Sequence, residues 1–121
     1  MTLLSDIESA TEGSPELGAR ALNALSRTSD FGVLNGVVYF LIPPSPFSDM
    51  HQHAMRDISS DFTELWAECL RRGYYPNLGA RNDGTFHAFM RYQYYPCGTT
   101  MRDPCLALLA ALLRAQGVGD E

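Results

Sequence analysis

The chain contains no lysine: all nine of its basic residues are arginine. A GC-rich coding sequence explains such a bias, and so does a need for planar guanidinium forks that grip phosphate or carboxylate. Cysteine is scarce as well. Cys69, Cys97 and Cys105 are an odd number with no CxxC spacing. That reads as a reduced, cytoplasmic chain in which Cys69 and Cys105 are small core hydrophobes. No apolar run approaches the roughly 18 residues of a membrane span. The opening "MTLLSDIESATEG" lacks the basic n-region of a secretory signal. Internal repeats, low-complexity segments and a Gly-rich phosphate loop are missing too; "GYYPNLG" is not such a loop.

What is present is one domain's worth of chain. The 121 residues suffice for a core without staples, and 45% hydrophobic with 19% charged residues is the composition of a soluble globule. The net charge of -5 hides an asymmetry. Residues 1–70 set ten carboxylates against Arg20, Arg27 and Arg56, whereas residues 71–114 set six arginines against Asp83 and Asp103.

Helix and strand signals follow one another clearly. Leu3, Leu4, Ile7 and Ala10 make a short helical stripe, with Ser5 and Glu8 at capping-box spacing. "GSPELGARALNALSR" continues with Ser14 as N-cap and Pro15 at the first helical position, either as a second helix or as one helix broken at Gly13. "GVVYFLI" is a strand stopped by "PPSP". "FSDMHQHAMRD" reads as a loop with a turn of helix. Asp61 and Glu64 cap a helix whose stripe is Phe62, Leu65, Trp66, Cys69 and Leu70, closed by Gly73.

A hairpin comes next, and its register follows from the pattern. If Asn82, Asp83 and Gly84 form a three-residue loop with Gly84 left-handed, Arg81 stands opposite Thr85. Tyr74, Leu78 and Ala80 then share a face with Phe86, Ala88, Met90 and Tyr92, while a two-residue loop would flip one strand. The other face carries Tyr75, Asn77, Arg81, His87, Phe89, Arg91 and Gln93. Pro76 argues for an edge or an irregularity in the first strand. The last helix, "DPCLALLAALLRAQG", has Asp103 as N-cap, Pro104 at the first position and Gly117 at its end. Only Arg114 is charged between Pro104 and Gln116, so this helix needs cover on more than one side. The order is ααβαββα. The fold class is α+β, a small antiparallel or mixed sheet packed with helices in an α/β/α sandwich.

Two blocks carry a family resemblance. "LLSDIESATEGSPELGARALNAL", followed by "FTELWAECLRRGYY" and the closing "TTMRDPCLALLAALLRAQG", resembles the phage ABA-sandwich family, small proteins of phages and prophages. The resemblance spans roughly two-thirds of the chain and leaves out residues 28–56. It implies an α/β sandwich and a phage setting, but no activity and no catalytic residues. Gly18 departs from the family's pattern, which has an acid there, and the hairpin is more aromatic than expected.

The candidate chemistry points to binding and not to catalysis. His51 and His53 would share a face if extended, with Asp49 or Asp57 beside them, but no further Cys/His pair completes a zinc set. Cys97 next to Gly98, with His87 on the preceding strand, lacks any surrounding nucleophile motif. Three binding roles remain. A counter-defence (anti-CRISPR-like) inhibitor would dock on a basic host defence protein, such as a CRISPR effector, through Asp6, Glu8, Glu12, Glu16, Asp57, Asp61, Glu64 and Glu68; a solubilising surface explains the same acids. A sequestering protein would hold an anionic nucleotide on Arg81, His87, Arg91, Tyr75 and Phe89, with Arg71, Arg72 and Arg102 nearby; alternatively a helix covers that face. A homodimer would join through the 104–116 helix. No cofactor, no membrane association and no DNA binding of its own are expected.

Overall fold

The computed structural model describes residues 2–28, 30–42, 51–91 and 99–118. Each of its four helices starts at a side chain that caps the third helical N–H, which removes one of the orphan donors of a helix N-terminus. Ser14 caps α2 (Pro15–Ser26), Asp61 caps α3 (Phe62–Arg71) and Asp103 caps α4 (Pro104–Ala115), as their spacing predicts. α1 (Leu3–Ser9) begins earlier than expected: Thr2 accepts from the Ser5 N–H, so Ser5 lies inside the helix and is no cap. α1 and α2 are separate helices, parted by extended backbone at Ala10 and Ser14. Gly73 and Gly117 close α3 and α4 with positive φ.

The strands form two antiparallel sheets of three. β1 (Phe31–Leu34), β2 (Val37–Ile42) and β3 (His51–Met55) make the first, in that order. β4 (Tyr75–Ala80), β5 (Phe86–Arg91) and β6 (Thr99–Met101) make the second, with β5 central. The α+β class, helices packed on small antiparallel sheets, is what the structure shows, and three strands join the three expected from the sequence. The segment read as loop and helical turn contains β3 instead, where His51 pairs with Ile42 and His53 with Phe40. β1 joins β2 through Asn35 and Gly36, both with positive φ, the conformation of a type I′ turn.

The second hairpin has the register read from its sequence. Leu78 faces Ala88, Ala80 faces Phe86, and the Arg81 N–H donates to Thr85 O at 2.8 Å across a loop with Gly84 at φ 85°. Pro76 sits on β4, an edge strand, where its missing N–H leaves no ladder bond open. Pro76, Ala88 and Met90 are buried, so this face of the hairpin meets the core and the Tyr75–Arg91 face points away from it.

α4 is the centre of the molecule. Residues 105–113 are all buried, and the helix touches β4, β5 and β6 as well as α1, α2 and α3. A helix apolar all round belongs inside a core. Its five leucines from Leu106 to Leu113 are 0% exposed, and together they contribute on the order of 10 kcal/mol over leaving them in water. This corrects the expectation of a homodimer joined through the 104–116 helix, because its apolar side chains are already covered within one chain. α2 carries the first sheet, on β1 and β2. No described helix is long and apolar enough to cross a membrane.

A tight polar clip holds the loop after β3 against α2. Ser59, fully buried, accepts from the Ser14 N–H at 2.9 Å and donates its hydroxyl toward Ser14 O at 2.8 Å and Asp57 Oδ1 at 2.6 Å. Gly13 and Gly18 permit this approach. A Cβ at Gly13 would stand 2.1 Å from Ser59 O, and one at Gly18 would stand 2.1 Å from Asp57 Oδ1.

Candidate functional site on the second sheet

Alternation along β4 and β5 places Tyr75, Asn77, Gly79 and Arg81 on one face with Thr85, His87, Phe89 and Arg91. The pairing arranges them in rows: Tyr75 with Arg91, Asn77 with Phe89, Gly79 with His87, and Arg81 with Thr85. β6 adds Thr100 beside His87. The five residues assigned from sequence to an anion site are thus on one sheet face. Tyr75, Arg81 and Arg91 are exposed, His87 is half-buried, and Phe89 is half-buried with its ring packed against the edge of the core.

The face combines rings and cations. His87 and Phe89, two apart on the central strand, have ring centroids 5.9 Å apart with planes inclined at 40°. Tyr75 is 57% exposed. His87 Nδ1 lies 2.8 Å from the Thr100 hydroxyl, which fixes the plane of the imidazole. Arg81 is exposed and makes no ion pair among the described residues. Asp83 turns back into the loop, where its Oδ1 accepts the Thr85 hydroxyl and the Thr85 N–H at 3.0 Å. Those two bonds, the hydroxyl's first, hold its carboxyl below the usual aspartate range, and the Arg81 charge adds to them.

Arg71 and Arg72 do not join this group. Arg71 bridges Glu64 at 2.8 Å and Glu68, and Arg72 binds Glu68 through Nε at 2.7 Å while Nη1 donates to Leu25 O at 3.1 Å. Gln93, Tyr92 and Cys97 lie outside the described residues. Two participants escaped the sequence reading. Thr100 belongs to a strand of only three residues, too short to give a periodic signal. Gly79 left a signal that was not used: a glycine inside a strand marks a place where another group comes close to the backbone.

The acidic set is scattered over several local tasks. Asp57 holds the Ser59 and Ser60 hydroxyls, and Asp61 caps α3 and pairs with Arg56 at 3.0 Å. Asp6 pairs with Arg20 at 2.6 Å and Glu8 with Arg114. Glu68 is largely covered, its side chain 16% exposed. Burial there pushes its carboxyl upward, yet hydrogen bonds from Arg71 and Arg72 outweigh it and set it below the usual range. Glu12 and Glu16 alone of the set have no partner among the described residues.

The remaining candidates change little. Cys69 and Cys105 are buried free thiols, and burial pushes each up to about 12, as inert core residues require. No group of three or more metal-ligating side chains gathers among the described residues. The side chains of His51 and His53 lie outside them. Comparison with protein-family models, with curated proteins and with solved structures finds no match for this chain.

Proposed function

We propose that the chain is a small accessory protein that binds and sequesters a nucleotide on the outward face of the second sheet. The observation that carries this reading is the His87–Phe89 ring pair sharing one sheet face with Arg81, which is exposed and makes no ion pair among the described residues. Stacking holds a base of any identity, and a guanidinium fork answers the negative charge that the base brings with it. Tyr75, exposed at the far end of β4, extends the stacking surface.

Calorimetric titration with nucleoside monophosphates tests the reading. Binding should weaken in Arg81→Gln and Tyr75→Ser, both exposed positions, with an unaltered melting temperature as the control for folding. Wild-type protein that takes up no heat-detectable nucleotide at millimolar concentration would refute it. The counter-defence role, with a host effector docked on an acidic surface, has less support. It rests on the resemblance to phage proteins and on Glu12 and Glu16, since local partners engage the other acids.

A further inference from the structure

We propose that a cavity between the end of α1 and β6 is the phosphate-binding half of this site, with Arg102 as its anchoring cation. The inference rests on the nucleotide reading above and names what that ligand must carry. The cavity holds about 290 Å³, and Glu8, Ser9, Thr11, Thr100, Met101 and Arg102 line it. That is at the lower end for ligand sites, which run from about 300 Å³ upward. It suits one part of a nucleotide, the phosphorylated sugar, with the base outside.

Thr100 joins the two halves. Its hydroxyl is 2.8 Å from His87 Nδ1, and the same residue lines the cavity. The cavity and the ring pair therefore have Thr100 as their common neighbour. Opposite His87 stands Gly79, and a side chain there would find nothing within 4 Å. This gap in the β4 row is where a base can lie flat against the sheet.

The charge accounting selects Arg102. Arg20, Arg56, Arg71, Arg72 and Arg114 are each committed to a carboxylate. Arg81, Arg102 and Arg27 have no such partner among the described residues, and Arg27 serves as the left-handed end of α2. Arg102 directly follows Met101, which pairs with Phe86, and the residue before Phe86 is Thr85, whose other neighbour across the sheet is Arg81. Two arginines without an ion-pair partner among the described residues thus stand at the same level of a three-stranded sheet, about 10 Å apart at the backbone. The one carboxylate in the cavity wall, Glu8, is already neutralised by Arg114. Thr11 adds a neutral hydroxyl to the same wall, while the Ser9 hydroxyl donates within α1 and that of Thr100 meets His87. Such a set favours a phosphate over a neutral ribose.

The test compares adenosine 5′-monophosphate with adenosine by calorimetry on the full chain. The monophosphate should bind at least tenfold more tightly than the nucleoside, the gain expected of charge-assisted hydrogen bonds. Arg102→Gln should remove that tenfold advantage and leave adenosine binding unchanged, with an unaltered melting temperature as the control for folding. Asp83→Asn, which removes a competing charge near Arg81, should tighten the monophosphate alone. Equal affinities for the two ligands, or an equal weakening of both by Arg102→Gln, would overturn the phosphate site while leaving the stacking face standing. Absence of binding by either ligand would overturn both.

Discussion

Gly18 offers the sharpest check on the packing described above. It occupies the fourth position of α2, where its N–H donates to Ser14 O at 2.9 Å. Replacing a helical glycine by alanine normally stabilises a protein by about 0.5–1 kcal/mol. Here the new methyl would stand 2.1 Å from Asp57 Oδ1 and 3.0 Å from its Cγ. A free carboxylate would rotate away at little cost, but this one is pinned. Its Oδ1 accepts from the Ser59 N–H at 2.9 Å and the Ser59 hydroxyl at 2.6 Å, and its Oδ2 accepts from Ser60 at 2.7 Å. Clearing the methyl forfeits the two Oδ1 bonds, worth about 1–1.5 kcal/mol each. Gly18→Ala should therefore destabilise by about 1–2 kcal/mol net, a fall of roughly 4–8 °C in melting temperature. In an Asp57→Ala background the obstacle is gone, and the same substitution should stabilise by about 0.5–1 kcal/mol. The double-mutant cycle isolates this reversal of sign as a coupling of about 2 kcal/mol. A rise in melting temperature on Gly18→Ala in the native background would refute the argument.

Other expectations follow from the same structure. Leu109→Ala should cost about 2–5 kcal/mol in urea titrations, because α4 has close-packed neighbours on every side and the void cannot collapse. Glu68 makes stability depend on pH: its folded carboxyl is depressed, so its contribution is present above about pH 4.3 and is lost as pH falls through the lower folded value. Glu68→Gln should flatten the loss of melting temperature between pH 5 and pH 3. In a Cys97→Ser background, native protein at about pH 8 should leave Cys69 and Cys105 unlabelled by a thiol reagent, with both reacting on unfolding. Arg72→Lys should cost about 1–2 kcal/mol, since one ammonium cannot reach Glu68, Leu25 O and Ser26 together. Arg20→Lys, at an exposed single contact, should change thermal stability by less than about 0.5 kcal/mol.

Much of the fold was legible because its signals are local. Caps at Ser14, Asp61 and Asp103 and the loop at Gly84 are decided within four residues of sequence, so they survive any tertiary context. The first sheet was half missed for a similar reason in reverse. Asn35-Gly36 between "FGVL" and "VVYF" is a hairpin signal that fixes β1 as well as β2. β3, "HQHAM", has too few β-branched residues to declare itself and is held by pairing with β2. The apolar character of α4 was plain; that α1, α2, α3 and three strands surround it depends on contacts far apart in the chain. Leu70, assigned to the buried stripe of α3, is 51% exposed, because the periodicity gives a direction and not the width of the neighbour that covers it.

The candidate site was legible in its ring and cation types and not in its charge balance. Glu64, Glu68, Arg71 and Arg72 are spaced at three, four and seven residues on one helix, so their mutual pairing is readable from sequence. Arg114 with Glu8 and Arg20 with Asp6 are not, since they join residues that only the packing of α1 brings near. This distinction bears on the missing lysines. Arg72 uses three separate nitrogens for three separate acceptors, which a codon bias does not require and a fork does. Arginine therefore does structural service in the acidic half of the molecule by absorbing its carboxylates. The same accounting sets Arg81 and Arg102 apart: neither meets a carboxylate among the described residues, and the proposed phosphate site is drawn at them for that reason.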